Sequence, residues 1–309
     1  MKFAISHLRN RDLLIGNKEY MAKAASIAGA AASSTTFLIL TPFALYRNHE
    51  VWRFKDTSSK EYEQYIHTHI QWIRKRLGFF DQITLAGLGL STLKSFELHI
   101  FVDGYSNEPW LLSWIKTKIL ESTQRHRIST SVHVVDLYPM PEPYYSYPTT
   151  LALAIKNIVL NKREKRERIA MIRLDSDDTI MPYYLSLVDE YIFIHESNPL
   201  NAKVLEQPLN IDIPYGLQCQ LNASKAWLTL WPENNFTSLV VPTNQIREEL
   251  IPFFYAHDEL PSNIHRHVLA TNVPMWIQGI HSSNLCNEIF AWSIPLNGSR
   301  NIMELLVNS

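Results

Sequence analysis

The residues of this chain with the clearest potential for chemistry are three neighbouring aspartates, Asp175, Asp177 and Asp178. They follow residues 169–174 (IAMIRL), an apolar run typical of a buried strand. Carboxylates this close repel one another, and a divalent cation removes that repulsion while leaving coordination positions for phosphate oxygens. The carboxyl end of a strand is also where open α/β sheets bind ligands. The cluster therefore predicts a metal and phosphate site; the alternative is a solvated turn that caps the next helix.

Periodicity predicts the elements that position this cluster. Strand patterns cover residues 35–40, 98–102, 132–137 and 169–174. Helical spacing covers residues 62–77, 111–119 and 151–160, and it resumes directly after Asp178 at residues 179–191. Strand and helix thus alternate up to Asp178, which predicts a mostly parallel sheet wound by helices.

The remaining segments are less regular. Four prolines within residues 139–148 predict an extended loop. After about residue 195 the alternation fails, and short strands are expected at residues 215–221, 226–231 and 237–242. That half is expected to be antiparallel or rich in loops.

Composition narrows the class of protein. The chain has 309 residues, 46% hydrophobic and 19% charged, which is enough apolar material for one large α/β domain or two small ones. A formal net charge of -1 gives no global field that would attract nucleic acid. Cys219 and Cys286 fit neither a zinc site nor a disulfide framework, so a reducing compartment such as the cytoplasm is expected.

Two further observations concern membranes and phosphate. No segment reaches the roughly 18–20 uninterrupted apolar residues that span a bilayer. The charged run at residues 161–168 (NKREKRER) is expected to be a solvated helix face, with contact to anionic lipid at the inner membrane face as the alternative. A glycine-rich phosphate loop is absent, so metal and basic side chains would have to hold any phosphate.

The order of motifs resembles the GT-A glycosyltransferases, and within them a bacterial group assigned as rhamnosyltransferases. The resemblance covers roughly residues 35–290, about a whole domain of that kind. It is carried by four segments: TPFA at 41–44, RLDSDD at 173–178, PYG at 214–216 and PMWIQGIHSSN at 274–284. One departure is that Pro42 and Ala44 stand where the group has an arginine and an asparagine. If that arginine binds the donor diphosphate, either Arg47 or Arg53 replaces it here or this chain has lost the contact.

The resemblance implies a fold and a domain organisation. It implies an α/β, GT-A-like (Rossmann-like) fold with a mostly parallel sheet flanked by helices, and an irregular mixed C-terminal half. Residues 1–34 would be an N-terminal extension and residues 301–309 a tail. Between them lies a single domain over residues 35–300, with a nucleotide-sugar half at 35–178 and an acceptor half at 179–300.

It also implies a function: transfer of a sugar from a nucleotide-sugar donor to a saccharide or glycoconjugate acceptor, in bacterial surface polysaccharide or glycoconjugate synthesis. The cofactor would be Mn²⁺ or Mg²⁺. Metal ligands would be Asp177, Asp178 and His281, with Asp178 as the direct ligand. For His281, a satisfied core histidine is the alternative, and Trp276 is read as a core residue or an aromatic wall. The donor would be bound by five residues: Thr41, Arg53, Asp103, Arg173 and Asp175.

The catalytic base of an inverting transfer is assigned to Asp258, with His257 second, in a polar loop before Pro261. Two other classes of function stay open. A metal-dependent phosphohydrolase or nucleotidyltransferase would also use clustered aspartates, although no HxD motif occurs. A non-catalytic carbohydrate-binding relative that kept the fold would account for the altered TPFA segment.

Overall fold

A computed structural model of the chain gives the fold. It describes these residues: 33–43, 70–103, 109–135, 147–162, 167–198, 202–221, 225–247, 250–251, 264–281 and 288–296.

The strands and helices follow in chain order. The strands are β1 Thr35–Pro42, β2 Phe96–Asp103, β3 Thr130–Val135, β4 Arg168–Arg173, β5 Thr179–Ile180, β6 Leu209–Asp212, β7 Tyr215–Gln220, β8 Lys225–Leu230, β9 Ser238–Pro242, β10 His265–Val268, β11 Trp276–Ile280 and β12 Ile294–Pro295. The helices are α1 Ile70–Phe79, α2 Ala86–Leu90, α3 Pro109–Arg125, α4 Tyr147–Asn161 and α5 Tyr184–Ser197. A π-helical turn, Phe80–Leu85, joins α1 to α2, and two short 3₁₀ turns lie at Lys203–Glu206 and Thr243–Gln245.

The central sheet has seven strands in the order β10-β6-β9-β4-β1-β2-β3. All neighbouring pairs are parallel except those of β9, which runs against both β4 and β6. The predicted mostly parallel sheet flanked by helices, the GT-A-like arrangement, is therefore confirmed.

Apolar residues on both faces of β1 hold the sheet between its helices. Phe37 and Ile39 belong to one apolar cluster with α3 and α5, whereas Leu38 and Leu40 belong to a second cluster with α4. All four side chains are essentially inaccessible to solvent. A central parallel strand covered on both faces requires this continuous apolar sequence, because neither face meets water.

A second, smaller sheet has the order β12-β8-β7-β11-β5 and mixes parallel and antiparallel pairs. The three short strands predicted after residue 195 correspond to β7, β8 and β9. The irregular half is nevertheless not separate from the first half. Strands β6, β9 and β10 complete the central sheet, a pairing that depends on contacts distant in sequence.

Two predicted boundaries were wrong. The helix expected directly after Asp178 begins only at Tyr184, because Thr179–Ile180 pairs with β11 as strand β5. Helix α4 begins at Tyr147, inside the predicted proline-rich loop. Proline is tolerated in the first turn of a helix, where its missing N–H would have had no partner, so Pro148 does not prevent this. In the described part of the chain, no helix has the length and apolarity to cross a membrane.

Candidate functional site

The aspartate cluster lies at the topological switch point of the central sheet, where the strand order reverses. From β1 the chain proceeds to β2 and β3 on one side, and it then returns to β4 on the other side of β1. The backbone N–H of Leu174 donates to the carbonyl of Leu40, which extends the pairing of β1 and β4 to the sheet edge. The next residue is Asp175. Ligands of open α/β sheets bind in this crevice, outside the carboxyl ends of the two diverging strands.

Asp177 is the centre of the cluster. Its Oδ1 accepts a hydrogen bond of 3.1 Å from Nη2 of Arg76, and its Oδ2 lies 2.9 Å from Nε2 of His281. The same Arg76 nitrogen donates to Oγ of Ser176 at 2.7 Å. The Asp177 side chain is 6% exposed. One buried carboxylate is thus held between two basic groups, one from α1 and one from the end of β11.

Asp178 is bound mainly through backbone groups. The Gly279 N–H donates to its Oδ1 at 2.9 Å, and the hydroxyl of Thr84, in the π-helical turn, donates to its carbonyl oxygen at 2.7 Å. Its other oxygen, Oδ2, is buried and has no hydrogen-bond partner within the described residues. Asp175 is more accessible, with Oδ1 3.7 Å from Nε of Arg173. The predicted alternative of a solvated capping turn is wrong, because Asp177 and Asp178 are buried and α5 begins at Tyr184 without a side-chain cap.

The environment pushes the pKa values of the two buried aspartates in opposite directions. Burial favours the neutral carboxyl of Asp177, but Arg76 and then His281 stabilise the carboxylate and hold its pKa below the usual range. Burial raises the pKa of Asp178 well above the usual range, and the charges of Asp177 and Asp175 raise it further. Two adjacent carboxyl groups therefore have different protonation preferences, with Asp177 ionised and Asp178 favouring a proton or another cation.

His281 reaches Asp177 because β11 pairs with β5, the short strand that follows the aspartates. Trp276 lies opposite Ile180, and Ile277 lies opposite Thr179. The His281 ring lies against the Phe79 ring, tilted by 31°, with 4.5 Å between ring centroids. A Cβ atom on Gly279 would lie 2.2 Å from the backbone oxygen of Asp177, so only glycine permits this approach. The RLDSDD and PMWIQGI segments thus form one site.

Trp276 is a core residue and not an aromatic wall of the site. It is fully buried, stacks on Phe236 at 4.6 Å, and donates from its indole N–H to the carbonyl of Ile213. A Cβ atom on Gly216 would lie 2.1 Å from the indole ring, which explains why the PYG segment needs its glycine. These contacts fix the start of β11 and so help to set the position of His281.

The other predicted site residues have different positions. Thr41 is the second-last residue of β1 and is fully buried, and its hydroxyl has no hydrogen-bond partner within the described residues. Asp103 is the last residue of β2. Arg53, His257 and Asp258 lie outside the described residues, so their assignments stay predictions.

Two features of the cluster suit a hard divalent ion. Asp178 contributes a buried oxygen that lacks a partner. The 2.9 Å between Asp177 Oδ2 and His281 Nε2 also suits two adjacent ligands of one ion, each about 2.1 Å from it. Within the described ranges, however, no three His, Cys, Asp or Glu side chains are grouped so that they could hold a metal ion by themselves. Mg²⁺ commonly uses one or two carboxylates and completes its shell with phosphate oxygens and water.

Three residues of the site, Arg76, Ser176 and Thr84, are not among those that the sequence predicts for it. Arg76 lies in the predicted helix, but a basic residue in an amphipathic helix is usually a solvated one, so its type carries no local signal. Its spacing does carry one: Ile73 and Phe80, three residues before and four residues after it, are fully buried. That spacing places Arg76 beside the buried stripe and not on the opposite, solvated face.

Comparisons with known proteins identify no family. The sequence matches no protein-family model and no curated protein. Among solved structures, a structure of S. aureus TarS residues 1–349 has a TM-score of 0.37 and 14% identity, covering 79% of this chain and 60% of that chain. A second S. aureus TarS structure has a TM-score of 0.37 and 13% identity, with 79% and 37% covered. The chain thus spans less than two thirds of the length of both structures. A structural similarity this low supports no statement about the function of this chain.

Proposed function

We propose that this protein is a metal-dependent glycosyltransferase that moves a sugar from a nucleotide-sugar donor to an acceptor hydroxyl. The observation that carries the proposal is the buried Asp177 carboxylate at the switch point of a mostly parallel sheet, with Arg76 and His281 on its two oxygens. A sheet of this kind binds ligands at that point. The order of the RLDSDD and PMWIQGIHSSN segments, which resembles GT-A enzymes, supports the reaction class.

The proposed cofactor is Mn²⁺ or Mg²⁺, held by Asp177, Asp178 and His281. Such an ion would supply positive charge against the diphosphate leaving group, whose negative charge grows as the glycosidic bond breaks. Asp178 suits this role because its Oδ2 is buried and has no partner within the described residues. Arg173 and Asp175, at the accessible side of the cluster, would contact the donor's sugar or ribose.

The remaining roles follow from the resemblance. Asp258, with His257 second, would take the proton of the acceptor hydroxyl in an inverting transfer. Thr41 and Asp103 lie near the carboxyl ends of the neighbouring strands β1 and β2 and would line the donor side, together with Arg53. The acceptor would be a saccharide or glycoconjugate, in bacterial surface polysaccharide synthesis at the inner face of the membrane.

A panel assay tests the reaction class. The protein is incubated with nucleotide sugars and Mn²⁺ or Mg²⁺, with and without saccharide acceptors, while nucleoside diphosphate and inorganic phosphate are measured separately. Release of nucleoside diphosphate that increases with acceptor supports the proposal. Release of inorganic phosphate would instead indicate a phosphohydrolase. Nucleotide binding without any turnover across the panel would indicate a non-catalytic relative.

A further inference from the structure

Arg76 is a basic residue that the fold directs into the aspartate cluster from a separate element. It lies in the last turn of α1, and its Nη2 contacts Oγ of Ser176 and Oδ1 of Asp177 at 2.7 and 3.1 Å. Its side chain is only 16% exposed. Ser176 and Asp177 together fix the direction of the guanidinium, which therefore stays at the crevice and does not extend into solvent.

The surroundings of α1 show that this placement is specific. The neighbouring Arg74 lies on the exposed face of the same helix, with its guanidinium carbon 6.0 Å from the centre of the Trp114 ring. Arg76, two residues later, lies toward the buried stripe of Ile73 and Phe80. Two arginines of one helix therefore differ in role: Arg74 covers an aromatic side chain, whereas Arg76 brings positive charge to the carboxyl end of the sheet.

The resemblance expects a different arginine at the same edge of the sheet. That arginine would stand at the end of β1, where the chain has Pro42. The segment after β1 and the end of α1 are adjacent, since the rings of Phe43 and Phe80 are 5.4 Å apart between centroids. A guanidinium is the side chain that best matches a phosphate, because its planar set of N–H donors can bind two oxygens at once.

We propose that Arg76 binds the diphosphate of the nucleotide-sugar donor and so takes the place of the arginine missing at the end of β1. This inference rests on the glycosyltransferase function proposed above. Arg76 then contacts the leaving group directly and stabilises the charge that develops on it. Because the contact is to the diphosphate, Arg76 makes the site prefer nucleoside diphosphates over nucleoside monophosphates.

The test compares Arg76→Gln and Arg76→Lys with Arg74→Gln, a control on the exposed face of the same helix. Calorimetry measures the binding of nucleoside diphosphates and monophosphates in saturating Mg²⁺, and circular dichroism checks the fold. Arg76→Gln should weaken diphosphate binding about ten- to hundredfold, the effect of losing a charged hydrogen-bond pair, and weaken monophosphate binding less than about threefold. Arg76→Lys should be intermediate, and Arg74→Gln should match the parent.

Other outcomes distinguish a failure of the role proposed for Arg76 from a failure of the proposed glycosyltransferase function. If the parent binds no nucleoside diphosphate in the presence of metal, the proposed function fails. If the parent binds diphosphate and a folded Arg76→Gln binds it equally well, only the role of Arg76 is wrong. Equal losses for diphosphate and monophosphate would make Arg76 a residue that merely holds Asp177. Should Arg76→Gln fail to fold, unchanged diphosphate affinity in Arg76→Lys would overturn the proposal, since lysine cannot reproduce the bidentate geometry.

Discussion

The Nε2 atom of His281 lies 2.9 Å from Oδ2 of Asp177, although the two residues are 104 positions apart in the chain. The contact is made possible by the pairing of β5 with β11 and by Gly279, whose lack of a side chain lets β11 approach the backbone of Asp177. It joins the two sequence segments that carried the expectation of a metal and donor site. Both side chains are buried, so the contact forms in an environment where charge interactions are strong.

The Asp177–His281 contact gives a prediction for His281→Ala. The substitution leaves Asp177, a buried carboxylate, without one of its two basic partners, so the free energy of unfolding should fall by about 1–3 kcal/mol. If His281 also contacts the metal, nucleoside diphosphate binding in Mn²⁺ should weaken several-fold. Urea denaturation and nucleotide titration measure the two effects separately. Loss of stability with unchanged nucleotide affinity would assign His281 a structural role alone.

Asp178→Asn should abolish activity without lowering stability. Burial and the charges of Asp177 and Asp175 raise the pKa of Asp178, so a neutral amide of the same shape should leave the unfolding free energy at pH 7 unchanged or raise it. If Asp178 is a metal ligand, the same variant should lose sugar transfer. EDTA should abolish transfer by the parent, and added Mn²⁺ should restore it. Full parental activity in excess EDTA would contradict the metal-dependent mechanism.

Substitutions of Gly279 and Gly78 form a matched pair that tests the close approach of β11 to the backbone of Asp177. In Gly279→Ala the new Cβ would lie 2.2 Å from the backbone oxygen of Asp177, so strand β11 must shift, with a loss of about 2–3 kcal/mol in stability. Gly78, in α1, has no atom within 4 Å of its added Cβ. Gly78→Ala should therefore be neutral or stabilise by about 0.5–1 kcal/mol. Thermal unfolding of both variants checks this, and equal melting temperatures would disprove the steric argument.

A histidine pair on β2 and β3 predicts acid sensitivity. His99 Nδ1 lies 2.9 Å from His133 Nε2, and burial, followed by the charge of His133, lowers the pKa of His99 to about 4. The other facing groups are Glu97, 3.2 Å from His99 Nε2, and Lys162, 2.6 Å from Glu97. Below pH 6.5 the unfolded His99 takes up a proton that the folded one does not. Stability should thus decline from about pH 6.5 down to about pH 4.

The size of this effect can be measured. Between pH 7 and pH 5, His99 should account for a loss of about 2 kcal/mol in unfolding free energy. His99→Gln removes this titration, so its unfolding free energy should change less over the same interval. Urea denaturation of both proteins at the two pH values is the measurement. Burial also lowers the pKa of His133, which is present in both proteins, so both keep a pH dependence of stability that comes from His133. Identical pH dependence of parent and variant would rule out His99 as the source.

Asp258→Asn tests the proposed catalytic base. A base that accepts the acceptor proton contributes about 10²–10⁴ in rate, so kcat should fall by about that factor. Nucleotide affinity should stay at the parental value, because the donor contacts lie elsewhere. Steady-state kinetics with a fixed acceptor, together with nucleotide titration, give both quantities. Transfer at the parental rate would place the base at another residue, with His257 the next to substitute.

The sequence by itself determined the central elements and the position of the acidic cluster. The strands β1, β2 and β4 were predictable because a strand buried on both faces needs a largely apolar run, a pattern that neighbouring residues carry. The position of Asp175 and its neighbours after β4 followed from the same local pattern. Strand and helix order then led to a mostly parallel sheet.

Only the tertiary structure decided which side chains meet the cluster. The spacing of Arg76 puts it beside the buried stripe of its helix, but only the packing of α1 brought it against Asp177. Asp178 differs from Asp177 in its hydrogen-bond partners and in the charges beside it, although the two are adjacent, chemically identical and both buried. The position of His281 depends on the register of β11 against β5, and such long-range pairing is set by the packing of the whole sheet and not by the residues beside it.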